Sequence, residues 1–327
     1  MEESRPTHNG KRKYSITVKR LLQIMLIILG VIVAFFGYFY WRHQRPIEQN
    51  PIFSMEERPK YLFSIYGSDK KLLKSPMAAY VAGNGNIYVS STNKHEIQVF
   101  QPNGRYLFSF GKAGPAPGDL GFPYGITQNK KGNLLIAETG NKRIQEFTPE
   151  GKFVRIVASP AGPVKVEKPG PLFYKEGRLY IGDLIKQEVI VVDDDSKVER
   201  TIGNISYPHG VSVDNNSKLY IADSGGYRIA VIDKNGRERG SIASWRDNSG
   251  FSLLRGIALD NVGRIYAVDS IISTVRVFDP DGQYLFSFGD KGFDKGEFLY
   301  PTGIFIDKEN RIYISDRSNN RIEVWGY

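Results

Sequence analysis

Residues 311–325 read RIYISDRSNNRIEVW, and the phrase can be laid over five earlier stretches. These are NIYVSSTNKHEIQVF from 86, NLLIAETGNKRIQEF from 133, RLYIGDLIKQEVIVV from 178, KLYIADSGGYRIAVI from 218 and RIYAVDSIISTVRVF from 264, so the copies start 40–47 residues apart. Each opens on an apolar strand pattern, breaks in a polar loop and re-enters an alternating strand. About ten residues ahead of each copy stands a shorter strand-like phrase, clearest as FPYGI at 122–126, YPHGV at 207–211, LRGIAL at 254–259 and YPTGIFID at 300–307. The turns P-N-G at 102–104, P-E-G at 149–151, K-N-G at 234–236 and P-D-G at 280–282 follow four of the copies, with glycines that suit tight hairpins to a fourth strand. Four antiparallel strands per repeat, repeated six times, predict an all-β, six-bladed β-propeller over residues 59–327.

The sixth copy stops at Trp325 with two residues after it, so its outer strand is missing from that end. YLFSIYG at 61–67 repeats the outer-strand phrase YLFSFG found at 106–111 and 284–289, yet it follows only a polar stretch. An absent edge strand would leave a row of unpaired backbone groups, and an isolated strand would have no partner. Residues 61–65 are therefore expected to close the last blade.

The pattern P-x-G-I, then I-Y-[IV]-x-D, then N-x-R-I-x-V-F, then D-G before a phrase ending F-G resembles the NHL repeat. Six copies in register carry that resemblance across residues 59–327. Blade 3, KPGPLFYKEGRLYIGDLIKQEVIVVDDDSK, departs from it, lacking P-x-G at the usual place and the Arg of N-x-R-I. Distortion or specialisation is expected there.

The formal charge of +9 is concentrated at one end, because residues 1–45 hold eight Lys or Arg against two Glu and leave a surplus of only three over residues 46–327. LLQIMLIILGVIVAFFGYFY, residues 21–40, has Gln23 as its one strongly polar member and at roughly 1.5 Å per residue would span about 30 Å as a helix. Six basic residues precede it, Arg42 and Arg45 follow it, and Tyr38, Tyr40 and Trp41 fit an interfacial belt. The expected order is a cytoplasmic basic tail at 1–20, an uncleaved transmembrane signal anchor at 21–41, a linker at 42–58 and an extracytoplasmic propeller at 59–327, in a single-pass cell-membrane protein. A cleaved leader is the competing reading, but the apolar run is long for one and no A-x-A-like site follows. There is no cysteine, which excludes thiolate metal sites and cysteine nucleophiles.

By resemblance to propellers, ligands meet the face formed by the loops that lead into each inner strand and those joining second to third strands. The middle residue of each P-x-G is expected at the channel mouth: Met77, Tyr124, Pro169, His209, Arg255 and Thr302. Of these, Tyr124, His209, Arg255 and Thr302 are ligand-binding candidates, for an anionic or sugar-like group held by the Arg fork. A second ring, Ser91, Glu138, Asp183, Asp223, Asp269 and Asp316, ends the second strands. Its repetition argues for structure, with acid/Arg pairs expected at Glu138 and Arg143, Asp223 and Arg228, and Asp316 and Arg321. Asp183 and Asp269 lack that Arg and are expected to be freer to contact something else.

The resemblance implies that lactonase-type propellers would hold a divalent cation with carboxylate and amide oxygens, and that amidating-lyase relatives would use several histidines for zinc. The mouth ring contains no acid, and the propeller contains only His95 and His209, with His95 expected as a solvated surface residue. No metal, cofactor or catalytic residue is therefore assigned. The expected role is a binding scaffold for a protein, peptide or envelope glycan. The alternative is an extracytoplasmic lyase or hydrolase using His209 for proton transfer and Arg255 as anion clamp. Cytoplasmic NHL domains imply RNA binding, but a surplus of three charges and an export signal argue against a nucleic-acid partner.

Overall fold

The structure is a computed structural model that describes residues 18–43, 58–243 and 250–327. The chain divides into two units, Met1–Glu56 and Glu57–Tyr327. In the first, residues Val18–His43 form a helix. The side chains of Met25, Leu26, Ile27, Ile28, Leu29, Val31, Ile32, Val33 and Phe35 are exposed on it. Among the described residues no helix is long and apolar enough to cross a membrane. The expected span at 21–41 reaches beyond the described side chains, and the expected tail and linker lie mostly outside the described residues.

Among its described residues the second unit contains six four-stranded antiparallel sheets. In blade 2 the chain runs from the inner strand Pro123–Gln128 through Leu134–Glu138 and Arg143–Phe147 to the outer strand Phe153–Ala158. Blades 1, 3, 4 and 5 repeat this order from inner strands Pro76–Val81, Pro169–Lys175, Pro208–Val213 and Leu254–Leu259. The second strand is buried along its whole length in nearly every blade, for example Ile87–Ser91 and Ile312–Asp316. A strand covered on both faces needs a sheet on each side, which a ring of blades supplies.

Blade 6 is completed as the sequence predicts. Its strands Pro301–Ile306, Ile312–Asp316 and Arg321–Gly326 are followed outward by Lys60–Ile65. That strand pairs antiparallel, with Ile65 opposite Ile322, Ser64 opposite Glu323 and Tyr61 opposite Trp325, and the register shifts between Tyr61 and Phe63. Ile65 is almost fully buried, and covering a side chain of this size stabilises by about 1.5–3 kcal/mol.

Six apolar clusters fill the spaces between successive blades. The one joining blade 6 to blade 1 combines Tyr313, Ile322 and Val324 with Ala79, Ile87, Val89 and Phe100, and it includes Ile65 of the closing strand. Removing that strand therefore exposes both an edge and part of an inter-blade core.

At the axis the inner strands crowd together. A Cβ on Gly125, Gly210, Gly256 or Gly303 would lie 2.3–2.9 Å from backbone atoms of the next blade's inner strand. The glycine of P-x-G is thus required by close approach of backbone, not by its torsion angle. Blade 3 departs as its sequence suggests. Pro171 stands where blades 2, 4, 5 and 6 place this glycine, and Gly182 on the adjacent strand makes room, since a Cβ there would lie 2.7 Å from Pro171 Cγ.

Candidate functional site at the channel mouth

Because Pro169 pairs with Asp183 as Pro123 does with Glu138, the mouth position of blade 3 is Gly170. Assigning Pro169 to the mouth ring was off by one, as the irregular P-G-P hides the register. The ring is Met77, Tyr124, Gly170, His209, Arg255 and Thr302. Blade 3 contributes no side chain at its own position, and Leu184, from the following loop, fills the space a Cβ on Gly170 would meet.

Three of the four candidates converge. Tyr124 Oη lies 3.0 Å from His209 Nδ1, a contact between blades 2 and 4 that passes over Gly170. Arg255 Nη1 lies 3.1 Å from His209 Nε2 and 3.3 Å from Nδ1. Arginine only donates, so its contact with His209 makes the imidazole the acceptor, and Tyr124 Oη also takes a hydrogen bond from Arg255. Arg255 Nε is buried and has no hydrogen-bond partner among the described residues.

Burial, then the Arg255 guanidinium and Lys168, push His209 down to about 3. The imidazole is neutral at any ordinary pH. Burial raises the Tyr124 phenol, with Arg255 and Arg317 opposing it, so this group also stays protonated. Tyr207, 49% exposed, stacks on His209 with ring centres 6.5 Å apart and 14° between planes. Tyr207, Lys168 and Arg317 were not singled out from sequence. Their signal is positional: the first two directly precede the proline of the inner-strand phrase and the third directly follows the second-ring acid.

Thr302 does not join this group. It is buried, and its hydroxyl points to Pro76, Met77 and Ser315 carbonyls at 3.4 Å, tying blade 6 to blade 1. His95 accepts a hydrogen bond from Phe122 N at 3.1 Å and packs edge-on against that ring at 4.4 Å, so it shapes the lead-in loop of blade 2.

The second ring is occupied internally. Arg143 Nε reaches Glu138 at 2.8 Å, Arg228 Nε reaches Asp223 at 3.0 Å and Arg321 Nε reaches Asp316 at 2.8 Å. Asp183 and Asp269, expected to be freer, are not. Asp183 accepts backbone N–H from Glu167, Lys168, Ile185 and Lys186 at 2.6–3.2 Å, and Asp269 accepts those of Ser252 and Leu253 at 2.7 and 3.0 Å. Where arginine is missing, the loop's own amides take its place. Among the described residues no group of three or more His, Cys, Asp or Glu is placed to share a metal ion.

A family model described as a 6-bladed beta-propeller matches residues 250–326, and one described as NHL repeat matches residues 206–232. Protein brain tumor of Drosophila melanogaster is 24% identical over 174 residues, covering 53% of this chain and 13% of that protein. E3 ubiquitin-protein ligase TRIM71 of Rattus norvegicus is 38% identical over 55 residues, covering 17% of this chain and 6% of that protein. The chain thus spans a small part of these relatives' length. Among solved structures, a gluconolactonase from Xanthomonas campestris superposes with TM-score 0.64 at 15% identity, covering 84% of this chain and 96% of that one. Virginiamycin B lyase from Staphylococcus aureus gives 0.58 at 15%, covering 83% and 99%, and an auxiliary nutrient binding protein from Bacteroides thetaiotaomicron gives 0.62 at 16%, covering 84% and 74%. At such identities these likenesses carry the fold alone. The second unit is an all-β six-bladed propeller with an NHL repeat in blade 4.

Proposed function

We propose that this chain is a binding scaffold: a six-bladed NHL propeller that presents its channel face to a protein, peptide or envelope glycan. One observation carries the reading. The mouth gathers a guanidinium, a neutral imidazole and a phenol with no carboxylate among them, while each second-ring carboxylate has internal hydrogen-bond donors. This is equipment for holding a polar or anionic group. The enzymatic alternative asks His209 to move a proton, yet a group pushed down to about 3 is a weak base and is not protonated near neutrality.

The scaffold is held at the cell membrane by residues 21–41 as an uncleaved single-pass signal anchor, with a cytoplasmic N-terminus and an extracytoplasmic propeller. Support comes from the basic residues ahead of the apolar run and from nine apolar side chains exposed on one helix, which call for apolar surroundings.

Protease added to intact cells, freed of any outer barrier, should cut residues 59–327 as readily as in lysed cells. Protection in intact cells alone would place the propeller inside and overturn the orientation. Cross-linking followed by capture through the full chain should recover a partner, and His209→Ala with Arg255→Ala should lose it. Capture that survives both changes would remove the channel mouth from the contact surface.

A further inference from the structure

The residue ahead of each inner strand is Ser75, Phe122, Lys168, Tyr207, Leu253 and Tyr300 in blades 1 to 6, so an aromatic ring stands there in every second blade. Neither torsion nor burial selects these rings. Phe122, Tyr207 and Tyr300 have φ of 50°, 56° and 50°, a left-handed backbone that bulky residues and residues before proline rarely adopt, and Ser75 meets the same demand at 48° with a small side chain. Each ring is braced by a neighbour, Phe122 by His95, Tyr207 by His209 and Tyr300 by Lys291 Nζ at 5.9 Å, yet 44–49% of each residue stays exposed. A ring braced in this way gives up little further freedom on binding, as an interface anchor must.

The four-residue loops between second and third strands border these rings. Phe122 lies between two of them: His95 Nδ1 of blade 1 accepts its N–H at 3.1 Å, and Thr139 N of blade 2 donates to its carbonyl at 3.2 Å. The lead-in loops at Tyr207 and Tyr300 repeat this, with Ile205 N donating to the Gln187 carbonyl and Ser224 N to that of Tyr207, then Tyr300 N to Ser273 Oγ and Ser318 N to the Leu299 carbonyl. Across all six second-to-third loops the sequence places Lys94, Lys142, Lys186 and Arg317 and no carboxylate. Lys186 pairs with Glu188, at the start of a third strand, but among the described residues Lys94, Lys142 and Arg317, with Lys168 ahead of the inner strand of blade 3, form no ion pair. The other lead-in charges are mixed, as in Asp290, Lys291, Asp294 and Lys295, and at the opposite end of the blades loops such as 260–264 and 307–311 also mix both signs. Exposed rings and cations without counter-charges thus share one face, a surface complementary to a partner that is both anionic and partly apolar. Exposed Ile185, Ile271 and Ile272 lie in the loops that adjoin Tyr207 and Tyr300. Aliphatic chains offer no face on which a base stacks and no hydrogen bond to a sugar hydroxyl, so they suit apolar amino-acid side chains.

We propose that the rim of this face docks an acidic segment of a protein partner, with Phe122, Tyr207 and Tyr300 receiving its apolar side chains at three alternate seams between blades, and Lys94, Lys142, Lys168 and Arg317 meeting its carboxylates. This rests on the scaffold reading and narrows its partner.

The test uses the full chain, purified in detergent and immobilised, with synthetic polymers as probes: poly(Glu,Tyr), poly-Glu and poly(Lys,Tyr), beside polygalacturonate and poly(U). Poly(Glu,Tyr) should bind about tenfold or more tighter than poly-Glu, because aromatic contacts add to the charge interaction, and poly(Lys,Tyr) should not bind. Combining Phe122→Ser, Tyr207→Ser and Tyr300→Ser, each giving the residue that blade 1 holds at Ser75, should erase that preference while poly-Glu binding is kept. The basic stretch at 1–20 is common to every arm, so a lost preference reports the rim. Combining Lys142→Gln, Lys168→Gln and Arg317→Gln should weaken both acidic polymers by a similar factor and flatten their salt dependence. Should the serine variant fail to fold, the glutamine variant, which alters only exposed side chains without ion pairs, decides the matter, since unchanged poly(Glu,Tyr) binding there overturns the proposal. Equal binding of poly-Glu and poly(Glu,Tyr), a preference that survives the serine variant, or tighter binding of polygalacturonate or poly(U) than of poly(Glu,Tyr) would each overturn it as well. Partner capture by the full chain that persists when the copolymer preference is absent would leave the scaffold reading standing and refute only this surface.

Discussion

Blade 2 holds its lead-in loop, residues 112–122, with Glu138, Arg143 and Gln145, whereas blade 6 holds residues 290–300 with Asp316, Arg321 and Glu323. The two arginines do the same work. Arg143 donates to the Pro115, Ala116 and Asp119 carbonyls at 2.7–3.0 Å, and Arg321 to those of Phe293, Asp294 and Glu297 at the same distances. The third member differs. Gln145 accepts from Gly118 N at 3.0 Å and donates to Glu138 at 2.6 Å and to the Asp119 carbonyl at 2.8 Å, so both ends of its amide are used. Glu323 accepts from Gly296 N at 3.3 Å, lies 3.0 Å from Arg321 and has the Trp325 indole as a further donor, but among the described residues its buried Oε2 meets no donor in good hydrogen-bond geometry. Burial, opposed by Arg321 and reinforced by Asp316, pushes Glu323 up to about 7. An amide completes the network in blade 2, and an acid leaves it sensitive to protons in blade 6. The blade with that acid is also the one closed by a strand from the other end of the sequence, whose Ser64 donates to Glu323 at 3.4 Å.

The largest difference between the blades should come from cutting that strand. Beginning the chain at residue 58 should preserve a cooperative thermal transition, while beginning it at 68 should abolish it or lower the midpoint drastically, because a sheet edge and the core around Ile65 are both opened. A domain starting at 68 that melts like the longer one would show that blade 6 needs its outer strand no more than blade 2 needs a borrowed one.

Next in size are the arginines. At pH 8 Arg321→Ala strands two buried carboxylates and Arg143→Ala strands one, so urea titration there should register a loss of about 3–5 kcal/mol at blade 6 and less at blade 2. Equal losses would mean that Glu323 is protonated in the native state and does not depend on Arg321.

The smallest effect isolates the acid. The folded chain keeps the Glu323 proton up to about 7, whereas the unfolded chain releases it near 4.5. The native state therefore binds more protons across that window, and this group's contribution to stability is full below about 4.5 and falls as pH rises to about 7. Glu323→Gln should raise the melting temperature at pH 8 by an amount worth about 1–2 kcal/mol and flatten the profile, and Gln145→Glu should install a similar slope in blade 2. A profile unchanged by Glu323→Gln would remove the acid from the account.

Much of this was legible in the residues. Blade number, strand order and closure follow from six copies in register, since a repeat forces one solution six times and the surplus strand at 61–65 had one vacancy to fill. The convergence of His209, Arg255 and Tyr124 followed from their shared repeat position. Three things were not legible because they depend on side-chain direction or on the irregular blade. Thr302 shares the ring position but turns its short hydroxyl into the backbone. Asp183 and Asp269 lack an arginine partner in sequence, and nothing there reveals loop amides converging on them. Blade 3's P-G-P conceals that Gly170, by having no side chain, lets blades 2 and 4 touch across it.

The closing strand also sets how the ring responds to force. A pull arriving along the chain from residue 59 reaches Lys60 first, at the pair with Gly326, before any other backbone contact of the propeller. Load would peel that short ladder inward toward Ile65, past the irregular step at Tyr61 and Phe63, while the five blades woven from continuous chain carry little of it. The clasp is the first strand on the N-terminal side, so the propeller has a mechanical fuse at its seam, and tension applied from that side would open blade 6 before it disturbed the channel mouth on blades 2, 4 and 5.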